Sequence, residues 1–192
     1  MTTSGNPTAA ENKSRLIEII TTRSFQTGKD MKLASGRTSS LYFNMKPTML
    51  DPEGSFLIGT LVVDHVMDKG VDMIGGLEMG AVPLATAVAT VSHMRGQPIG
   101  AFFVRKQAKE HGTQSLIEGL PDGETIAGKA VVVIEDVTTT GGSALKAVEQ
   151  IKNAGGTVVT VLTIVDRLEG AVAAFADAGV PFSALLTADD FR

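Results

Sequence analysis

Cysteine is absent from the 192-residue chain, which excludes disulfides and any thiolate zinc site. Histidine is scarce, and His65, His93 and His111 are too scattered in sequence to form an obvious metal cluster. No apolar run approaches the ~20 residues of a membrane span and the N-terminus is polar, so the expectation is a cytoplasmic protein with no membrane partner. An excess of positive charge is also missing. The 17 Lys and Arg against 21 Asp and Glu leave a formal net charge of −4, which disfavours a nucleic-acid surface. What remains is 43% hydrophobic and long enough for one domain over residues 1–192 with a substantial core.

The densest chemistry lies in Val131-Val-Val-Ile-Glu-Asp-Val-Thr-Thr-Thr-Gly-Gly-Ser143. Val131 to Ile134 is an uninterrupted β-branched run, expected as a parallel strand covered on both faces. The strand is expected to stop at Glu135 and Asp136, because neither charge could sit unpaired inside it. Thr138, Thr139, Thr140, Gly141, Gly142 and Ser143 then offer consecutive backbone N–H donors, four hydroxyls and two glycines that let the backbone approach a ligand. Leu145, Val148 and Ile151 place a helix over 144–154, whose N-terminus attracts anions. The turn has neither the lysine of a nucleoside-triphosphate P-loop nor the GxGxxG of a dinucleotide fold. A lysine-free cradle suits a phosphate monoester, and the paired carboxylates suit vicinal hydroxyls or a magnesium ion. A plain capped turn with two surface acids is the weaker reading of this combination.

Residues 1–10 lack periodicity and read as a flexible tail. Leu16, Ile17, Ile19 and Ile20 mark a first helix, and Leu41-Tyr42-Phe43 a short strand. Asp51-Pro52-Glu53 starts a helix that Gly70 stops, with Phe56, Leu57, Leu61, Val62 and Val66 as its apolar face. Strands over 72–75, 99–104, 131–135, 158–165 and 182–186 alternate with helices over 82–94, 144–154 and 170–178. That rhythm predicts an α/β fold, a central and mostly parallel sheet flanked by helices with right-handed crossovers. About 12–50 falls outside the rhythm and is expected as a small N-terminal hood. It would cover the carboxyl ends of the strands in a core of about 70–187, where such sheets bind ligands. His65 and His93 read as structural helix residues, and Asp64, Asp68 and Asp72 as solvated charges.

The acid pair and its Thr- and Gly-rich loop resemble the 5-phosphoribosyl-1-pyrophosphate (PRPP) signature of type I phosphoribosyltransferases. Three further stretches resemble the orotate phosphoribosyltransferases within that family: Ser35-Gly-Arg-Thr-Ser-Ser-Leu-Tyr-Phe-Asn44, Arg105-Lys-Gln-Ala-Lys-Glu-His-Gly112 and Asp166-Arg-Leu-Glu-Gly170. Their order and separation carry the resemblance from about residue 12 to the C-terminus. It implies the type I phosphoribosyltransferase fold. As activity it implies magnesium-dependent transfer of the 5-phosphoribosyl group from PRPP to N1 of orotate, giving orotidine 5′-monophosphate and pyrophosphate in pyrimidine biosynthesis.

By composition alone, 105–123 is a long loop and most simply a solvated charged hairpin. The resemblance implies instead a catalytic loop in which Arg105, Lys106, Lys109 and His111 neutralise the departing pyrophosphate, with Lys109 the main catalytic cation. In the family this loop closes over the site of the neighbouring subunit of a homodimer. Glu135 and Asp136 would hold the ribose hydroxyls, Asp136 also steadying charge at the anomeric carbon, while Val137, Thr138, Thr139, Thr140, Gly141, Gly142 and Ser143 complete the PRPP site. Magnesium would arrive with PRPP and reach Glu135 and Asp136 through water, with no direct side-chain ligand. Thr139, Arg167, Tyr42 and Phe43 are the implied orotate contacts. From the residues alone, Arg167 is as readily a surface partner of Glu169 or Asp166. Gly75-Gly-Leu-Glu-Met-Gly-Ala-Val-Pro83 resembles the family's pyrophosphate-contacting loop, yet Met79 and Ala34 stand where many members carry lysine. Lys32 and Lys46 are the candidate replacements, and Met79 reads as packing. The alternatives are another purine or pyrimidine phosphoribosyltransferase, or a non-catalytic PRPP-sensing regulator with a basic face.

Overall fold

The computed structural model describes residues 7–32, 38–107 and 116–192. The chain enters α1 (Ala9–Arg23) through a reciprocal cap. The Glu11 N–H donates to Thr8 Oγ1 at 3.2 Å, and the Thr8 N–H donates to Glu11 Oε2 at 2.7 Å. The helix therefore starts inside the expected tail. An antiparallel pair follows, β1 (Phe25–Lys32) with β2 (Thr38–Phe43), and then the single turn α2 (Lys46–Met49). At α3 (Pro52–Val66), Asp51 Oδ1 accepts the N–H groups of Glu53 and Gly54 at 3.1 and 2.9 Å, and a tight turn at Met67–Lys69 leads to Gly70. The expected face of α3 is incomplete. Ile58 and Val63 are buried as well, while Phe56 points out at 52% exposure.

The sheet begins with β3 (Met73–Gly75), α4 (Ala81–Met94), β4 (Gly100–Ala101), β5 (Phe103–Val104) and β6 (Ile117–Glu118). It continues with β7 (Ala130–Thr138), α5 (Gly142–Asn153), β8 (Thr157–Asp166), α6 (Ala171–Asp177) and β9 (Phe182–Thr187). Five strands run parallel in the order β4-β3-β7-β8-β9. Alternation sends Val132, Ile134, Leu162 and Ile164 into a core with α1, α3 and α4. Val131, Val133 and Val161 face α5 and α6. The strand expected over 99–104 divides in two. Gly100 and Ala101 pair with β3, whereas Phe103 and Val104 pair antiparallel with Glu118 and Ile117, Val104 still donating its N–H to the Gly76 carbonyl at 2.8 Å, so the expected loop is partly a hairpin.

The strand expected to end at Glu135 continues through both acids to Thr138. On its β8 side β7 is paired as far as Thr138, opposite Asp166, but on its β3 side pairing ends at Val133, opposite Gly75. Glu135 and Asp136 thus emerge where one neighbour has already stopped, and the charges meet a crevice rather than a covered sheet. This mismatch in strand length positions the site. Elsewhere, the rings of Phe25, Phe43 and Phe191 lie 4.9 to 5.5 Å apart and fasten the β1–β2 pair to the C-terminal turn. Asp72 is exposed, as expected, and its Oδ2 also accepts the Ala130 N–H at 2.7 Å, tying β3 to β7. His65 Nε2 shares a 3.0 Å hydrogen bond with Ser183 Oγ, joining α3 to β9. Among the described residues no helix is long and apolar enough to cross a membrane.

Phe175 on α6 is fully buried and stacks on Phe182 at 4.6 Å. Phe175→Ala should cost about 3–5 kcal/mol in urea unfolding, the usual penalty of an emptied aromatic site. A loss below about 1 kcal/mol would show that this face of the sheet does not depend on the ring.

Candidate active site

A cavity of about 390 Å³ opens beyond the carboxyl ends of β3 and β7, lined among others by Lys46, Glu78, Met79, Lys106, Glu135, Asp136 and Ser143. Parallel sheets place ligands at this position. A larger groove of about 520 Å³, bordered by Leu50, Phe56, Thr86 and Met94, is mostly apolar. Its one carboxylate, Asp51, already caps α3 and pairs with Arg23 at 2.9 Å. The smaller space is the one that brings the acid pair together with the N-terminus of α5.

Burial raises the Glu135 carboxyl from its ordinary 4.5 to about 7; the Asp136 charge adds to this, and the Thr138 hydroxyl, donating to Glu135 Oε2 at 2.6 Å, opposes it. Asp136 is also raised by burial, against the backbone N–H of Val137 and the nearby Lys46 charge. Glu135 thus tends to hold a proton near neutral pH in the empty site and would ionise on meeting a cation or a developing positive charge, and burial biases Asp136 in the same direction. Gly80, at the entry to α4, makes room for this: a Cβ there would lie 2.7 Å from Asp136 Oδ1.

After Thr138, the half-buried Thr139 and the exposed Thr140 lead to Gly141. Gly141 adopts φ +82°, and a Cβ on it would meet the Phe175 ring at 2.9 Å. It caps α5, which starts at Gly142, two residues before the expected helix. Gly142 and Ser143 are therefore the first helical residues, with N–H groups that have no carbonyl inside the helix. The cradle is a helix N-terminus framed by hydroxyls.

The neighbouring strand β8 delivers Arg167, whose N–H donates to the Thr138 carbonyl at 2.9 Å. Its guanidinium pairs with Glu169 at 2.7 Å, yet its side chain is only 4% exposed, so this is a buried pair and not a surface one. Tyr42 is exposed, whereas the Phe43 ring is buried against Phe25 and Phe191, leaving Phe43 its backbone for any ligand. Lys46 lines the cavity, while the side chain of Lys32 and all of Ala34, Lys109 and His111 lie outside the described residues. Met79 is exposed at the cavity mouth and does not pack inside. Arg105 lies 3.8 Å from Glu118, and its Nε donates to the Gln107 carbonyl at 3.1 Å. The Lys106 N–H donates to Glu78 Oε1 at 2.9 Å. Sequence reasoning misses Glu78; its only signal is its place in a glycine-rich junction.

Magnesium chemistry fits this donor set only in part. No group of three His, Cys, Asp or Glu side chains gathers among the described residues, and two carboxylates supply too few oxygens for an octahedral ion. The remaining ligands would come from a phosphorylated substrate and water.

The raised Glu135 carboxyl makes stability pH-dependent. Between 4.5 and about 7 the folded protein keeps a proton that the unfolded chain has released. The contribution is fully present below 4.5 and is lost as pH rises through 7. Urea midpoints measured from about pH 5 to 7.5 should fall more steeply for the wild type than for Glu135→Gln. Equal slopes would mean that Glu135 ionises normally.

Residues 49–181 match the family model described as a phosphoribosyl transferase domain. The orotate phosphoribosyltransferase of Bradyrhizobium diazoefficiens is 58% identical over 180 residues, covering 94% of this chain and 96% of that protein. The crystal structure of the Mycobacterium tuberculosis H37Rv orotate phosphoribosyltransferase in complex with Fe(III) dicitrate is similar with a TM-score of 0.80. It is 39% identical and covers 94% of this chain and 98% of that one. The same enzyme in complex with PRPP is similar with a TM-score of 0.76 at 36% identity, over 94% and 98% of the two chains. An acid pair and a hydroxyl-framed helix N-terminus sit at the sheet edge of a fold shared with these enzymes along nearly its whole length, and the chain belongs to the orotate phosphoribosyltransferases of the type I phosphoribosyltransferase family.

Proposed function

We propose that this chain transfers the 5-phosphoribosyl group of PRPP to N1 of orotate, giving orotidine 5′-monophosphate and pyrophosphate, in pyrimidine biosynthesis. The observation that carries the reading is the acid pair at the open end of β7, followed directly by the N-terminus of α5. The cradle from Thr138 to Ser143 would hold the 5′-phosphate through N–H and O–H donors and fix the sugar during reaction. Glu135 and Asp136 would receive the ribose hydroxyls, the Glu135 proton leaving as PRPP binds. Magnesium carried by PRPP would stabilise charge on the leaving pyrophosphate.

The anomeric carbon inverts as the C–O bond to pyrophosphate breaks and the bond to N1 forms, and the N1 proton passes to the departing pyrophosphate or to water. Asp136, ionised, would steady the positive charge that develops there. Lys109 would be the main cation reaching the leaving group, with Arg105, Lys106 and His111 in support. The Glu78 contact would hold the base of this loop beside the cavity. Thr139 and Arg167 would meet the substituents of the base, and Tyr42 with the Phe43 backbone would frame its ring. The site would be shared within a cytoplasmic homodimer, the loop of one subunit closing on the other, and β1–β2 would serve as the hood.

Orotate consumption with PRPP and magnesium tests this directly, with uracil and purine bases as controls. Strong preference for orotate is expected; equal turnover of uracil, or turnover of a purine only, would refute it. Lys109→Ala should lower kcat by about 10²–10³-fold while the protein stays folded, the cost of losing one preorganised donor. An unchanged kcat in an assay limited by chemistry would remove Lys109 from the mechanism.

A further inference from the structure

The guanidinium of Arg167 already holds a carboxylate before any substrate arrives. Its Nη2 lies 2.7 Å from Glu169 Oε1, with the Arg167 side chain 4% exposed and that of Glu169 23% exposed. The segment around the pair is sharply bent. The Leu168 N–H donates to Asp166 Oδ1 at 2.9 Å, Leu168 takes φ 60°, and Gly170 takes φ 104°. Glu169 thus sits between two left-handed residues, one of them a branched side chain that rarely adopts this conformation. Contacts must hold such a turn in place, and the ion pair is the one that Glu169 itself provides. Its partial exposure leaves the carboxylate room to swing outward, while Arg167 stays tied to Thr138 through its backbone.

We propose that Glu169 is an internal competitor for orotate: it neutralises Arg167 in the empty site and is displaced when the carboxylate of the base arrives. This rests on the reading of Arg167 as an orotate contact. A nearly buried guanidinium left without an anion is costly, so the pair keeps the empty site neutral. The same pair weakens substrate binding, because an incoming carboxylate meets a like charge at the one planar fork built to receive it. A pyrimidine ring without a carboxylate cannot carry out the exchange, and Arg167 stays with Glu169 when it binds.

Glu169→Gln keeps the size of the side chain and removes its charge. Its KM for orotate should fall by about twofold to fivefold, the scale of one partly exposed charge pair. The Ki of uracil, the same ring without the carboxylate, measured as a competitive inhibitor against orotate, should not fall with it. An unchanged or higher KM for orotate would overturn the proposal, since Glu169 would then only orient Arg167. Equal falls for orotate and uracil would also overturn it, showing a reshaped pocket. Arg167→Ala separates the two layers. If it raises the KM for orotate while Glu169→Gln does not lower it, the competitor role alone fails. If Arg167→Ala leaves that KM unchanged, the reading of Arg167 fails beneath it. Should Glu169→Gln not fold, Glu169→Asp retracts the carboxylate by one methylene; a lower KM for orotate supports displacement, and a wild-type or higher value overturns it.

Discussion

The unequal reach of two neighbouring strands organises this protein. β7 runs five residues past Val133, the last of its residues to pair with β3, while β8 accompanies it to Thr138. A strand paired on one side only keeps its rigidity and opens the other side to a ligand. Glu135 and Asp136 exploit that opening: they are fixed by a strand, yet they escape the covered interior where their charge could not be accommodated. Gly80 lets the turn before α4 close against Asp136, and Gly141 lets the turn before α5 close against Phe175. Two helix entries therefore converge on one pair of acids.

That convergence explains the electrostatics. Burial raises both acids, and among the described residues Lys46 is the cation acting on Asp136. The empty site is consequently poised for a substrate that brings its own positive charge, as magnesium on PRPP would, and for a reaction that develops positive charge on carbon. Arg167 follows the opposite strategy, since its charge is neutralised in advance by Glu169. In the proposed site, one half would wait for a cation, and the other would exchange one anion for another. On this reading the sugar phosphate and the base are distinguished by electrostatics as well as by shape.

Much of this is legible in the sequence because it rests on local patterns. The β-branched run of β7, the Asp51-Pro52 helix start and the alternation of strands with helices each have a short-range cause. What escapes is set by pairing between distant segments. Nothing within 131–138 shows that β3 ends at Gly75, so local reasoning stops the strand at its first charge. The pairing of Phe103 outside the main sheet depends on Glu118, fifteen residues away. Phe43 is hydrophobic in any context, but only the approach of Phe191 shows that its ring is committed to packing. The Thr8–Glu11 cap is a readable signal, a Thr-x-x-Glu pattern hidden in a segment that otherwise resembles a tail. Roles for Lys109 and His111 come from resemblance alone, as both lie outside the described residues.

The acid pair is the point on which the rest turns, and calorimetric titration of PRPP with magnesium tests it most directly. The wild type and a Glu135→Gln, Asp136→Asn double variant, shown by circular dichroism to be folded, would be compared at one pH above 7. Removing two charge-assisted hydrogen bonds at once should weaken binding by about tenfold or more. Wild-type affinity in the folded double variant would contradict the assignment of this edge of the sheet to the sugar phosphate.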